Sequence, residues 1–376
     1  MITSTRKGWF SRAGDSFGGV IFGILLFLGS FALLFWNEGR AVKRARDLEF
    51  GAENVVKASA ATVNAKNEGK LIHVSGAVSA PGVVADPVFG VQTKALRLSR
   101  EVEMYQWKES SKSKKDKKLG GSEVTTTEYK YQLVWNDKLI KSGDFQESGH
   151  DNPSTMPYDG ADFSAQGIKL GAYSLAPAIV EDISPDTAFT PAPTKMPAGA
   201  KMAGSYIYVG QAMNAPKVGD LRISYKTAPF GPFSIVAGQQ AQGLVPFADP
   251  ELNDPITLLE KGTQSAEAMF KAAEDANAVM TLILRFVGFL MMFFGLRLVS
   301  QPLSVLASIL PFMGTAVGFV TGFVSFFIAL GLSMVTIAIA WIFYRPLVGI
   351  LLLIVAIGAI AAAITLARKA SNKATA

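Results

Sequence analysis

Cysteine is missing from the chain, and histidine occurs only twice, as His73 and His150. Without cysteine there can be no disulfide, no thiolate catalysis and no cysteine-ligated zinc, while the compartment of the polar part stays open. The two histidines are far apart, so neither has a second histidine at ligand spacing. No His-Glu-x-x-His helix, Gly-x-Ser-x-Gly elbow or Gly-Lys-Ser/Thr phosphate loop occurs either. His73 falls in a strand-like run and reads as a packing position. His150-Asp151 reads as a turn in preference to half of a catalytic pair. These absences predict a protein that is not an enzyme, with no catalytic residues, cofactor or metal.

Acidic residues and lysine are absent from Val279 to Leu366, where Arg285, Arg297 and Arg345 are the only formal charges. Water cannot solvate so long an apolar run, so its surroundings are lipid. A span needs about 20 apolar residues, and Pro302, Pro311 and Pro346 suggest the divisions. They predict spans over 280–299, 318–343 and 347–367, with an interfacial or re-entrant segment over 300–317. Phe17 to Trp36 is a further uncharged run that ends in bulky aromatics instead of a cleavage site, giving a first span over 17–37. The expected fold class is therefore an α+β membrane protein. It has four transmembrane helices and a large β-rich extramembrane domain between the first and second spans, so both termini lie on one side.

Outside the spans the pattern changes. Short basic tails are expected at 1–16 and 368–376, and helical stalks at 38–66 and 256–279, the second capped by Thr263 or Ser265 with Glu267 in its first turn. Between the stalks, 67–255 reads as strands. Leu96 to Trp107 and Val124 to Trp135 form a hairpin, the second arm alternating Tyr129, Tyr131, Leu133 and Trp135 with polar residues. The connection holds Lys112, Lys114, Lys115, Lys117 and Lys118. It reads as a mobile, solvated tip and as a candidate contact for anionic headgroups. The segment 142–202 is rich in Pro, Gly, Asp and Ser, predicting loops with one short helix. Ile72-x-Val74-x-x-Ala77-x-x-Ala80-Pro81 is echoed by Ile207-x-Val209-x-x-Ala212-x-x-Ala215-Pro216, so two related halves, near 70–140 and 200–250, stand against coincidence.

Three groups of residues bear on the membrane part. Gly19 and Gly23, and Gly314, Gly318 and Gly322, repeat every fourth residue, the spacing that lets helices approach closely in lipid, within one chain or between subunits. Arg285 and Arg297, about 18 Å apart on a helix, read as interfacial anchors, together with Arg345, Glu38 and Arg40. The alternative is an arginine facing a wet cavity, for which Glu38 is the only near acidic partner. Net charge is +6, dispersed and gathered mainly at membrane flanks, so the expected partner is the bilayer and not nucleic acid. Arg6, Lys7, Arg12, Arg297, Arg368, Lys369 and Lys373 on one side nearly balance Arg40, Lys43, Arg44, Arg46, Arg285 and Arg345 on the other. Charge alone thus favours cytoplasmic termini only slightly.

Several strings resemble the LUMA (transmembrane protein 43) family along nearly the whole chain. They are Leu34-Phe35-Trp36-Asn37-Glu38-Gly39-Arg40-Ala41-Val42, Val102-Glu103-Met104-Tyr105-Gln106-Trp107, Asn152-Pro153-Ser154, Val218-Gly219-Asp220-Leu221-Arg222, Leu244-Val245-Pro246-Phe247 and Phe343-Tyr344-Arg345-Pro346-Leu347. The resemblance implies four spans, a large domain between the first two, and cytoplasmic termini. It also implies self-association and the organising of other membrane proteins. Animal members carry an acidic insert where this chain has its lysines, and place the domain in the lumen of the endoplasmic reticulum and nuclear envelope. An alanine-rich, cysteine-free chain suggests a bacterial member of the inner (cell) membrane with an extracytoplasmic domain. The function expected is a non-enzymatic, homo-oligomeric membrane scaffold; the alternative is a channel or a lipid-handling assembly.

Overall fold

The computed structural model describes residues 1–347. The chain opens with β1 (Ile2–Lys7) and α1 (Trp9–Asn54), then β2 (Val56–Ala58), β3 (Leu71–Ser79), β4 (Val84–Asp86), β5 (Val91–Thr93), β6 (Arg97–Lys117) and β7 (Glu123–Asn136). There follow β8 (Ala161–Ser164), β9 (Lys169–Leu170), β10 (Tyr173–Leu175), α2 (Pro177–Glu181), β11 (Thr187–Phe189), β12 (Ala200–Ala203) and β13 (Tyr206–Val209). The described part ends with β14 (Leu221–Ala228), β15 (Gly231–Gln240), β16 (Gly243–Val245), β17 (Leu258–Lys261), α3 (Ala266–Leu306) and α4 (Pro311–Tyr344). Two compact units result. Among the described residues one comprises 1–4, 47–114 and 126–273, the other 5–46, 115–125 and 274–347.

The first unit is built on two sheets. In one, β7, β6, β14, β13 and β12 lie side by side, with β8 on β6 and β11 on β14. In the other, β15, β16, β10, β9 and β3 pair in turn and β3 pairs back onto β15, closing a ring, with β17 added on β15 and β2 on β3. Period-two alternation puts Leu98, Arg100, Val102, Met104 and Gln106 of β6 on its buried face. One core draws on both sheets: Ile72, Val74 and Val78 of β3, Val102 and Met104 of β6, Ile223 and Tyr225 of β14, and Phe233 and Ile235 of β15. A buried ionic group sits within it. Asp86 Oδ2 accepts from Arg100 Nη1 and from Tyr225 Oη, each at 2.7 Å. Burial and the Asp86 charge push the Tyr225 phenol well above its ordinary range. A smaller cluster joins Leu48 at the end of α1 to Met269 and Phe270 at the start of α3, with Ile256 and Leu258.

The second unit is helical. α1, α3 and α4 are the three helices long and apolar enough to cross a membrane among the described residues. α1 and α3 run antiparallel. Gly23 meets Gly295 and Leu298, Leu34 meets Gly288, and Asn37 Nδ2 donates to Thr281 O at 3.1 Å. Leu34, Met292 and Ala329 form a buried cluster shared by all three helices.

Several expectations change here. Three membrane helices replace the expected four among the described residues; the fourth, over 347–367, lies outside them but for Leu347, and an even number of spans no longer puts both termini on one side. The segment over 300–317 is not a separate interfacial piece. α3 continues through Pro302 to Leu306, a 3-10 turn covers Ala307–Ile309, and α4 opens with Pro311 at its first position. A proline interior to a water-exposed helix is costly, but in a membrane bundle neighbouring groups can satisfy the freed backbone. The first stalk is shorter than drawn, since α1 ends at Asn54. At the second, Ser265 Oγ accepts from Ala268 N at 3.2 Å, an N-cap. The short helix in the loop-rich stretch is α2, started by Pro177. The echoed motifs occupy different settings. β3 pairs with β15 in the closed ring, whereas β13 lies between β12 and β14 in the other sheet and ends at Val209.

Candidate functional site in the membrane bundle

Polar side chains gather at two levels of the helical unit. Arg12 and Glu38, which mark them, are separated by 26 positions of α1. That is about 39 Å of helix, close to the thickness of a bilayer with its headgroups.

At the first level Glu38 is 2% exposed. Arg285 meets it in bidentate fashion, Nε to Oε1 at 2.6 Å and Nη2 to Oε2 at 2.7 Å, and Trp341 Nε1 donates to Oε2 at 2.7 Å. The Arg285 guanidinium also lies over the Trp341 ring, 5.6 Å from its centre. One carboxylate thus ties α1 to α3 and α4. Arg40 extends the network, donating to Asn277 Oδ1 and Thr281 Oγ1, both at 3.0 Å, while Asn277 Nδ2 donates to Ala41 O at 3.0 Å. A cavity of about 440 Å³ opens beside these groups, and Arg345 reaches its wall. Arg285 is therefore a paired charge between helices as well as a flank residue, and Glu38, the one acidic candidate, is its partner.

At the second level the strand β6 delivers the hairpin tip, 115–125, to the start of α1. The tip reads as a mobile loop in the sequence but is a tight, pinned turn. Gly120 and Gly121 adopt φ of +78° and +75°, which glycine tolerates. Gly120 N donates to Ile309 O at 3.1 Å, and Arg12 Nη1 donates to Gly121 O at 2.5 Å and to Ser308 Oγ at 3.1 Å. Arg12 Nη2 lies 3.5 Å from Glu123, and Trp9 Nε1 donates to Val305 O at 3.0 Å. Arg297 donates Nη1 to the Gly318 carbonyl, bonding inside the bundle. Of the five tip lysines, Lys115, Lys117 and Lys118 belong to this unit, while Lys112 and Lys114 lie on the exposed part of β6 in the other.

The glycine ridges pack within the chain. A Cβ at Gly23 would stand 2.8 Å from Gly295 O, one at Gly314 2.6 Å from Ser308, and one at Gly322 2.6 Å from Arg297 Nη1. A Cβ at Gly318 would lie 3.0 Å from Ser304 Oγ, whereas one at Gly19 would have ordinary room, 3.5 Å from Gln301 Oε1.

His150 stacks on Tyr131 with ring centres 4.0 Å apart and meets Trp107 edge on at 4.6 Å, a packing role in the first unit. Among the described residues no group of three His, Cys, Asp or Glu side chains is placed to hold a metal. Sequence reasoning missed Trp9, Glu123, Ser308 and Trp341. Only the tryptophans carried a signal, as aromatics near the ends of apolar runs.

The comparisons fit this architecture. A family model described as Transmembrane protein 43 matches residues 104–346. Human transmembrane protein 43 is 33% identical over 363 residues, 93% of this chain and 90% of its own length. The mouse protein is 32% identical over 92% of this chain and 90% of its own. A Drosophila melanogaster homologue is 30% identical over 89% and 91% respectively. No solved structure matches. Apolar helices, the bundle they form and similarity along almost the whole chain agree: this is an integral membrane protein that belongs to the transmembrane protein 43 family.

Proposed function

We propose that the protein is a non-enzymatic membrane scaffold that self-associates and organises the membrane or other membrane proteins. The observation that supports this reading is the Glu38–Arg285–Trp341 clamp. The most deeply placed carboxylate of the bundle is bound to two other helices, so its bonding serves rigidity. A rigid frame is what a scaffold needs. The glycine ridges no longer argue for subunit contacts, because they are filled within one chain. Self-association therefore rests on a direct test, the lipid-corrected mass of the particle in nanodiscs. One defined oligomer supports it, and a monomer at every concentration overturns it.

For orientation we favour an extracytoplasmic β-rich domain in a bacterial cell membrane. The support is the charge balance in the sequence, seven basic residues on the terminal side against six flanking the domain. A chain without cysteine is a clean background for labelling. Lys66→Cys, on the β-rich domain, should be labelled by an impermeant maleimide in intact cells. Protection of Lys66→Cys in intact cells reverses the assignment. A second reading, lipid handling, draws on the groove beside the hairpin tip.

A further inference from the structure

Two neighbouring hollows meet at the hairpin tip. The deeper, about 360 Å³, is lined by Arg12, Lys117, Arg297, Glu123, Gln301 and Thr321 among others. The wider, about 1010 Å³ and open to the surface, has Lys115, Lys117 and Lys118 on one wall and Phe312 and Phe319 of α4 on the other. Lys117 lines both, so they adjoin at that side chain and are treated together as one groove.

Its chemistry is two-sided. Five cations face two carboxylates, Asp116 and Glu123, and Glu123 already lies 3.5 Å from Arg12 and 3.7 Å from Lys115. The ammonium groups of Lys117 and Lys118 have no partner among the described residues, and Arg297 makes one hydrogen bond, to Gly318 O. The opposite wall is apolar and open: Phe312 is 70% exposed and Phe319 75%. A soluble anion would satisfy the cations alone, whereas the phenylalanines stand on the membrane helix α4, where acyl chains are at hand. A protein partner would need a long acidic segment with an apolar flank. A phospholipid with net negative charge satisfies both walls at once, the phosphate among Lys117, Lys118 and Arg297 and the acyl chains along α4.

We propose that this groove is a binding site for one anionic phospholipid, headgroup phosphate at the tip and acyl chains against Phe312 and Phe319. Lys112 and Lys114, which the sequence groups with the other lysines, do not line it. The proposal deepens the lipid-handling reading and is independent of self-association.

The test uses the full chain, purified in a neutral detergent and examined by native mass spectrometry. Phosphatidylglycerol and phosphatidylcholine with the same acyl chains are offered in turn. The expected result is retention of phosphatidylglycerol at least ten-fold above phosphatidylcholine, lowered ten-fold or more in Lys117→Gln/Lys118→Gln and in Phe319→Gln. Lys169→Gln, an exposed charge on β9, should leave it unchanged. The side chains of Lys117 and Lys118 make no bond among the described residues, so this variant remains informative even if Arg297→Gln fails to fold. Equal retention of both lipids, or undiminished retention by the double variant, overturns the site. Glycerol phosphate competing as well as the lipid overturns the lipid assignment in favour of a free phosphoester. Subunit number is read from the same spectra, so failure of the scaffold reading and failure of this site are separable.

Discussion

The guanidinium of Arg285 lies edge to edge with the carboxylate of Glu38, two parallel contacts of 2.6 and 2.7 Å between groups 247 residues apart in sequence. Glu38 is almost fully buried and Arg285 keeps 31% of its side-chain exposure. Removing one partner of a buried pair strands the other charge at a cost of about 3–5 kcal/mol. Partial exposure of Arg285 places Arg285→Met near the lower end, and Glu38→Gln should cost a similar amount. Glu38→Leu/Arg285→Met together should recover much of the loss, because no charge is then stranded. Thermal unfolding of the four proteins in one detergent checks this; strictly additive losses would mean that the two groups do not act as a pair.

Crowding between α1 and α3 gives a second prediction. A methyl at Gly23 or Gly295 would press on backbone atoms at 2.8 Å, which cannot rotate away. Overpacking of this kind costs about 1–3 kcal/mol. Gly23→Ala and Gly295→Ala should each lower the unfolding midpoint, while Gly19→Ala, with 3.5 Å of clearance, should change stability by no more than about 0.5 kcal/mol. If Gly23→Ala leaves the midpoint unchanged but alters the oligomer, the ridge serves subunit contact instead.

Asp47 closes the helix-to-domain transition of the first unit. Its carboxylate is 1% exposed and accepts from Asn253 N and Asn253 Nδ2 at 2.9 Å and from Asp254 N at 3.3 Å. Asp47→Ala leaves these donors unsatisfied, at about 1–3 kcal/mol, and should speed hydrogen exchange at Asn253 and Asp254 by ten-fold or more. Unchanged exchange at both amides would show that water replaces the carboxylate freely.

What the sequence disclosed follows from which interactions are local. The missing acids and lysines after Val279 made lipid the only solvent, and the alternation of Tyr129, Tyr131, Leu133 and Trp135 marked β7. Ser265 and Glu267 marked the start of α3. The rule that proline stops a helix failed at Pro302, because it is calibrated where water competes for the backbone. The tip failed for another reason: Ser-Lys repeats have no strand signature, and Arg12, Ser308 and Ile309, which pin it, are more than a hundred residues away. Glu38 and Arg285 were each visible as flank charges, but no spacing rule joins residues of different helices. The packing of α1 on α3, at Gly23 with Gly295 and Leu34 with Gly288, brings them together.

His73 yields a prediction in pH. It is 6% exposed on β3; its Nε2 donates to Gln264 O at 3.0 Å, with Ser75 Oγ 3.3 Å away. Burial lowers its pKa below the ordinary 6.5, the bond to Gln264 opposes that, and the Lys57 charge lowers it further. A base with a depressed folded pKa binds its proton more readily once unfolded, so acid favours the unfolded chain. The stabilising effect of the neutral ring is complete above about pH 6.5 and is lost as pH falls from there toward the folded value, below which it changes no further. Melting midpoints of the intact protein should therefore drop between pH 7.5 and 5.5 by more than those of His73→Asn, whose amide can still donate to Gln264 O and does not titrate. Parallel curves for the two proteins would assign the acid sensitivity to other groups and leave His73 as a packing residue alone.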